Sequence, residues 1–478
     1  MTRKYFKFLS DEEMQKIHES SLRILKNVGM LVDHERARQM LHDGGAKVDF
    51  KSKRVKFTPD LVTKCLQRVP RTVIYGGRTP ENDMVLKTGG ELYARGNSGQ
   101  TSYVDLETGE YRGGKLEDVK QFAILMDALP NINGVGPLHP GDVPTTTADI
   151  HSLRALLENQ RKHINNQAFG VKNLKYELEM IVAVQGSREE VKKRPLFHNI
   201  VCVVSPLYVS EEDVDMLMLA GEYGIPSGFA DMINVAATGP ATLAGTLALG
   251  NAEMLGAACL NNILCPGKPQ TYFLEPGVTD MSTGALMLGT PENVILCSAL
   301  AQLANTLYQL PVETAAMASD WTITEEAVLQ KGMNGLMAAY HGASFIFGCG
   351  SIDTFMAQSP VQLVIDDEIV GMIRRVIRGL EVDEDRLGLA AVERVGPQGT
   401  FITDPHTRKY MRGEYFQPKL FNRDPRTVWL SKGSKNLEQR AREKALRILQ
   451  EHKVEPLDSH VLKELDLLAK KADQELAK

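Results

Sequence analysis

Ile200-Val201-Cys202-Val203-Val204, residues 211–223 (EEDVDMLMLAGEY) and Gly228-Phe229-Ala230-Asp231-Met232 together decide the fold. A β-branched run is followed by a helix-length segment opened by three acids, then by a second short apolar run. The connection is too long for a hairpin and long enough for a crossover helix, so the unit reads as strand–helix–strand with parallel strands.

The same rhythm extends in both directions. Strand-like runs fall at 132–135, 164–169, 200–204, 228–232, 272–274, 312–316 and 345–347. Helix-length segments separate or follow them at 148–159, 174–184, 211–223, 242–260, 291–307, 325–340 and 361–380. Seven such repeats, with an eighth short strand still to be placed, fit a closed (β/α)8 barrel of TIM type better than an open sheet. The expected organisation is an N-terminal α+β region over 1–115, a barrel over 116–430 and a charged helical extension over 431–478. In the first region Ser10 and Glu13 form a capping box, and strand-like pieces lie around Leu92-Tyr93-Ala94 and Ser102-Tyr103-Val104.

Composition excludes several classes. The 478 residues carry a net charge of -5 and no basic block, which argues against nucleic acid or an anionic membrane as partner. The N-terminus has no apolar signal region, and no run of 18 uninterrupted apolar residues occurs, so a cytoplasmic protein is expected. Cys65, Cys202, Cys259, Cys265, Cys297 and Cys349 are scattered, without a CxxC pair, so no metal site is expected on this chain. Walker, dinucleotide and nucleophile-elbow motifs are all missing.

Barrel chemistry sits at the C-terminal ends of the strands. There the sequence places Gly136-Pro137-Leu138-His139, then Asn165-Asn166-Gln167, then Phe229 and Asp231, then Tyr272, Phe273 and Glu275, then Ser319-Asp320-Trp321, and last Ser351 to Phe355. Amides, rings and acids dominate, with few bases. Such a rim suits a cation held by ring faces and carboxylates, although each ring has packing as its competing role.

Several motifs together carry a resemblance. Gly239-Pro240-Ala241-Thr242-Leu243-Ala244-Gly245, Gly250-Asn251-Ala252-Glu253, Met281-Ser282-Thr283-Gly284, Gly289-Thr290-Pro291-Glu292, Asp366-Asp367-Glu368 and Thr403-Asp404-Pro405-His406 resemble signatures of the trimethylamine methyltransferase superfamily. The resemblance implies a (β/α)8 barrel that passes a methyl group to the cobalt of a corrinoid (cobalamin) presented by a separate protein. The founding enzymes carry pyrrolysine in the loop that looks like Ala318-Ser319-Asp320-Trp321-Thr322 here, whereas this chain has only standard residues. It therefore resembles the non-pyrrolysine branch, whose substrates are quaternary amines such as glycine betaine, proline betaine and carnitine.

On that reading Trp321, Tyr272, Phe229 and Phe355 are expected to offer ring faces to the N-methyl groups, and Asp231 and Glu275 negative potential. Arg95, Asn97, His139 and His341 are the candidates for a substrate carboxylate. No catalytic residue is expected on the chain, and a homo-oligomer is. Asp366, Asp367 and Glu368 lie in a helical run and are expected to cap or form salt bridges. Two other readings stay open: a barrel methyltransferase with a folate acceptor, and a non-enzymatic betaine-binding or sensor protein.

Overall fold

The computed structural model describes residues 7–321, 323 and 325–477. Met1 to Phe6 and Thr322, the last residue of the 318–322 loop singled out above, lie outside them. Eight parallel strands close a barrel: β1 (Tyr93–Gly96), β2 (Gly134–Val135), β3 (His163–Asn166), β4 (Phe197–Val203), β5 (Ser227–Asp231), β6 (Tyr272–Leu274), β7 (Val312–Thr314) and β8 (Phe345–Cys349). Each is followed by its helix: α1 (Leu116–Ala128), α2 (Ala148–Asn159), α3 (Val171–Gln185), α4 (Glu211–Glu222), α5 (Leu243–Leu264), α6 (Pro291–Leu303), α7 (Glu325–Tyr340) and α8 (Pro360–Arg378).

All seven expected strands are present. The eighth is Tyr93-Ala94-Arg95-Gly96, which pairs with β8 on one side and β2 on the other. The boundary at residue 115 therefore falls inside the barrel's first strand–helix unit, and the barrel's last helix ends at Arg378 rather than near 430. A four-residue strand carrying an arginine does not look like a barrel strand in sequence, because its charge turns into the lumen.

Hydroxyl caps fix where four of the barrel helices start. Ser210, Thr242, Thr290 and Ser359 accept from the backbone N–H three residues on, at the starts of α4, α5, α6 and α8. These starts all face the C-terminal end of the barrel, so the positive ends of the helix dipoles ring its mouth. Helix α5 is long and apolar enough to cross a membrane by composition, but it is mostly buried and packs on the N-terminal helices Asp11–Asn27 and Pro59–Arg68.

The opposite end of the barrel is plugged. Strands Thr72–Tyr75 and Met84–Lys87 form a hairpin whose Val73, Tyr75, Met84 and Leu86 pack on Phe345 of β8. After α8 the chain forms short helices between 384 and 431. The amphipathic helices Leu437–Glu451 and Ser459–Leu476 then cover α8 and α1, and α2 and α3 respectively.

Candidate active site at the barrel mouth

Alternation along each strand decides which side chains enter the lumen. From the floor upward, the Tyr75 ring stacks on His163 of β3 and His198 of β4, with centroids 4.3 and 4.5 Å away. His163 Nδ1 lies 3.0 Å from the Gly76 carbonyl, which can only accept, so Nδ1 carries the proton. His163 Nε2 then accepts from His198 Nδ1 at 2.8 Å. Burial pushes His163 down to about 3 and His198 well below its ordinary value, so both rings are neutral.

One layer higher, the Tyr75 hydroxyl donates to Glu313 Oε1 (2.8 Å) and Arg95 Nη2 lies 3.3 Å from Glu313 Oε2. The Arg95 guanidinium sits 4.1 Å from the Phe347 ring centroid. Above it the lumen turns apolar. Phe273, Phe347 and Phe355 cluster with Ile200, Ala230, Ala315 and Ala318, with Cys202 packed against them. Phe273 meets Phe347 edge-on at 5.2 Å, and Phe347 stacks on Phe355 at 5.9 Å.

Phe355 reaches that position through a strained turn. Asp353, Thr354 and Phe355 all have left-handed φ, of 53°, 49° and 68°. Each costs on the order of 1–3 kcal/mol for a residue with a side chain. The loop after β7 holds the turn, because the Asp353 and Thr354 amides donate to the Trp321 and Ser319 carbonyls at 3.0 Å.

Glu275 follows β6 on the lumen side of the barrel. Its amide donates to the Asp231 carbonyl at 2.7 Å, which continues the β5–β6 ladder, so Glu275 shares the lumen face with Phe273 two residues earlier. The side chain is 8% exposed, and its carboxylate has no hydrogen-bond partner among the described residues. Burial raises it to about 7; Arg95 opposes that rise and Glu313 adds to it.

The other sequence candidates divide by face. Phe229 and Asp231 turn outward toward the helices. Asp231 takes a 2.5 Å hydrogen bond from the Ser205 hydroxyl, which also lies 2.9 Å from Glu253 of α5. Tyr272 also turns outward and donates to Asn251 of α5 at 2.7 Å. Their placement as substrate-facing rings and acid is therefore corrected. In strands this short and apolar on both faces, sequence does not reveal which parity faces the lumen.

His341 is corrected as well. It precedes β8, at the plugged end, where Nδ1 lies 2.8 Å from the Met337 carbonyl and the ring packs on Phe8. Arg95 does enter the lumen, but fully buried and already paired with Glu313, so it is not a free anion site. Trp321 lies in the rim loop, 65% exposed rather than enclosed. Asn97 and His139 do reach the mouth, on the β1–β2 side. The His139 ring packs 4.6 Å from Phe169, its Nδ1 is buried without a partner, and burial pushes it down to about 4.

Asn165, two residues beyond His163 on the same face, joins them. Its Nδ2 is 3.4 Å from the Ser98 hydroxyl and its Oδ1 is buried without a partner. Sequence reading missed Phe347, Ile200, Cys202 and Ala230 as lining residues and chose Tyr272 over Phe273. The available signal was the two-residue spacing from Glu275 and Arg95.

The acidic run on α8 does structural work. Asp366 accepts from the fully buried Lys331 (2.7 Å) and from Gly350 N (2.7 Å), which ties down the end of β8. Asp367 accepts from Asn131 N, and Glu368 from the amides of Lys419, Leu420 and Phe421. Among the described residues no cluster of three or more His, Cys, Asp or Glu is arranged to hold a metal ion.

Fold and site together define a (β/α)8 barrel closed at one end, with a carboxylate and phenylalanine rings lining the other. Comparison with known proteins gives the family. The profile described as trimethylamine methyltransferase (MTTB) matches residues 1–477. The chain is 33% identical over 469 residues to a trimethylamine methyltransferase of Desulfitobacterium hafniense, covering 98% of this chain and 94% of that one. It is 30% identical over 460 residues to a glycine betaine methyltransferase of the same species, covering 95% of each. The chain belongs to the trimethylamine methyltransferase family and is a methyltransferase. Among solved structures it is similar to the monomethylamine methyltransferase of Methanosarcina barkeri, with a TM-score of 0.52, 10% identity and 93% of each chain covered. At that identity the likeness concerns the barrel fold alone.

Proposed function

We propose that the protein demethylates a quaternary amine of the betaine type and passes the methyl group to the Co(I) of a corrinoid carried by a separate protein. The observation that carries this reading is Glu275: a buried carboxylate without a hydrogen-bond partner among the described residues, at a mouth lined by rings and small apolar side chains. A quaternary ammonium has no N–H to donate and a diffuse positive charge, so ring faces and one carboxylate complement it. Each well-placed ring contact contributes about 0.5–2 kcal/mol. The apolar wall strengthens the attraction to the ionised form of Glu275 by excluding water.

The reaction asks little else of the chain. The breaking C–N bond leaves its electron pair on nitrogen, and a neutral tertiary amine departs, so no proton is required. The corrinoid supplies the nucleophile; Phe273, Phe347, Phe355 and Glu275 hold the trimethylammonium group and exclude water. Because the Tyr75 hairpin plugs the floor, the acceptor approaches through the mouth. Asn165 and His139, across the lumen from Glu275, are placed to face the carboxylate end of a zwitterion. Relatives at 33% and 30% identity carry the two different substrate names, so identity does not choose between them. The standard residues in the 318–322 loop favour the quaternary amine.

The test is to mix the protein with Co(I) cobalamin, free or on a cognate corrinoid protein, and follow loss of the Co(I) absorbance with a panel of amines. Glycine betaine, proline betaine or carnitine should react and trimethylamine should not. Reaction with trimethylamine alone would overturn the substrate, and silence with every amine would overturn the activity in favour of a binding protein.

A further inference from the structure

The connection from β6 to α6 carries two of the motifs quoted above, Met281-Ser282-Thr283-Gly284 and Gly289-Thr290-Pro291-Glu292. It follows a barrel strand, so it lies at the mouth. There it folds as a hairpin, with Val278 opposite Met287 and Thr279 opposite Leu286. The tip closes on itself: the Asp280 carboxylate accepts from the Ser282 amide (2.8 Å) and from the Ser282 and Thr283 hydroxyls (2.7 and 2.9 Å). The foot is pinned on both sides. Gly277 pairs with Asn234 after β5, and the Asn293 side-chain amide of α6 donates to the Pro276 carbonyl.

Leu286 and Leu288 are two residues apart where the chain returns, so they share a face. That face meets the rings. Leu288 is fully buried in the cluster of Phe273, Phe347 and Phe355, and half-buried Leu286 packs against it. Neither leucine joins the larger core between strands and helices. Asp320, in the loop after β7, holds this stretch by its backbone: Oδ1 accepts from the amides of Leu288 and Gly289, the latter at 2.8 Å. Gln330 of α7 fixes Asp320 in turn, accepting from its amide at 3.1 Å and donating to Oδ2 at 3.3 Å. The Thr354 hydroxyl, in the strained turn that carries Phe355, lies 3.5 Å from the Leu286 carbonyl.

We propose that this hairpin is a fixed roof over the ring pocket, that Leu286 and Leu288 limit the size of the ammonium group admitted, and that Asp320 positions them. The assignment rests on the quaternary-amine reading and adds its source of size selectivity. Methyl groups on nitrogen fit between roof and rings, whereas a longer substituent has to displace a leucine whose backbone is tied down. One surplus methylene in an apolar pocket is worth about 10- to 200-fold in discrimination. A clamp on backbone amides suits that task, because it fixes the strand without placing a polar group against the ligand.

Calorimetric titration of the full chain with tetramethylammonium and tetraethylammonium chlorides tests the roof without any corrinoid. The parent protein should bind the smaller ion at least about tenfold more tightly. Leu288→Ala and Leu286→Ala should each lower that ratio at least about threefold. Asp320→Ala, which removes no contact with the ion, should lower it by a similar factor. Asp320→Asn, which keeps an oxygen for the two amides, should hold it within about twofold of the parent. Met281→Ser, at the exposed tip, should leave it unchanged. The unfolded chain binds neither ion, so lost stability alone scales both affinities equally and does not move the ratio. A parent-like ratio in both leucine variants would overturn the roof, and one in Asp320→Ala the positioning role. A parent protein that binds both ions equally would overturn the roof alone; one that binds neither would overturn the quaternary-amine reading with it.

Discussion

Glu275 and Asp231 sit on neighbouring strands of the same barrel, share a backbone hydrogen bond and are both buried, yet they face opposite walls. Burial raises both. For Asp231, pushed well above its ordinary range, the neighbouring charge of Glu253 adds to the rise. There the Ser205 hydroxyl and Glu253 share hydrogen bonds with it, so its chemistry is spent inside the protein. Glu275 has no such partner among the described residues and lies on the lumen face shared by Phe273, two residues earlier. Burial alone therefore does not mark a site: the acid available to a ligand is the one the protein leaves unpaired.

The sharpest way to break this contrast is to neutralise each acid in turn. Glu275→Gln should raise KM for the quaternary amine by about 50-fold, the loss of a charge-assisted contact of roughly 2–3 kcal/mol, with thermal stability unchanged or improved. Asp231→Ala should do the reverse, leaving KM within about twofold while costing about 1–3 kcal/mol of stability through the stranded Ser205 and Glu253 groups. Steady-state kinetics and thermal unfolding on both variants separate the outcomes. Equal effects on KM would abolish the distinction.

The pH profile sharpens the same contrast with a smaller effect. On the proposed reading the cation binds the ionised form of Glu275, whose carboxyl burial pushes up to about 7. Between pH 5.5 and 6.5, KM should fall nearly tenfold per unit, about 1.4 kcal/mol, and it should level off above about 7.5. In Glu275→Gln the profile should be flat over that range. A slope that survives the substitution would assign the titration to another group.

Rings give the smallest differences. Phe355→Leu and Phe347→Leu should raise KM by about 3–10-fold, in keeping with the loss of one cation–ring contact. Phe229→Leu, on the helix side, should cost about 1 kcal/mol of stability with KM unchanged. Trp321→Ala, at the exposed rim, should change KM by less than about threefold; a larger rise would draw the rim into the site.

Much of the fold was legible. Short apolar strands alternating with helices of constant spacing specify a parallel barrel, because parallel neighbours need a crossover and eight repeats close on themselves. The Ser10–Glu13 capping box, legible from its spacing, does open the first helix. The first strand was not recognisable as part of the barrel, since Arg95 interrupts its apolar pattern and pairs with Glu313, 218 residues away. The structural use of Asp366, Asp367 and Glu368 followed from their helical context, although their partners are distant in the chain.

The site was half legible. Of the residues that the sequence offers, Glu275 and Phe355 face the lumen, and Asn97 and His139 follow strands at the same end of the barrel. It also offers Phe229, Asp231, Tyr272 and His341, which do not face the lumen. Residue type and position along a strand are local properties, so sequence by itself determined the repeat and the closed barrel. Which alternate residue faces inward, which buried acid is already paired and which histidine lies at the plugged end depend on contacts between segments far apart in the chain. Only the tertiary structure decided those, because strands of two to seven residues show too little alternation to mark an inner face and become directional only when the barrel closes.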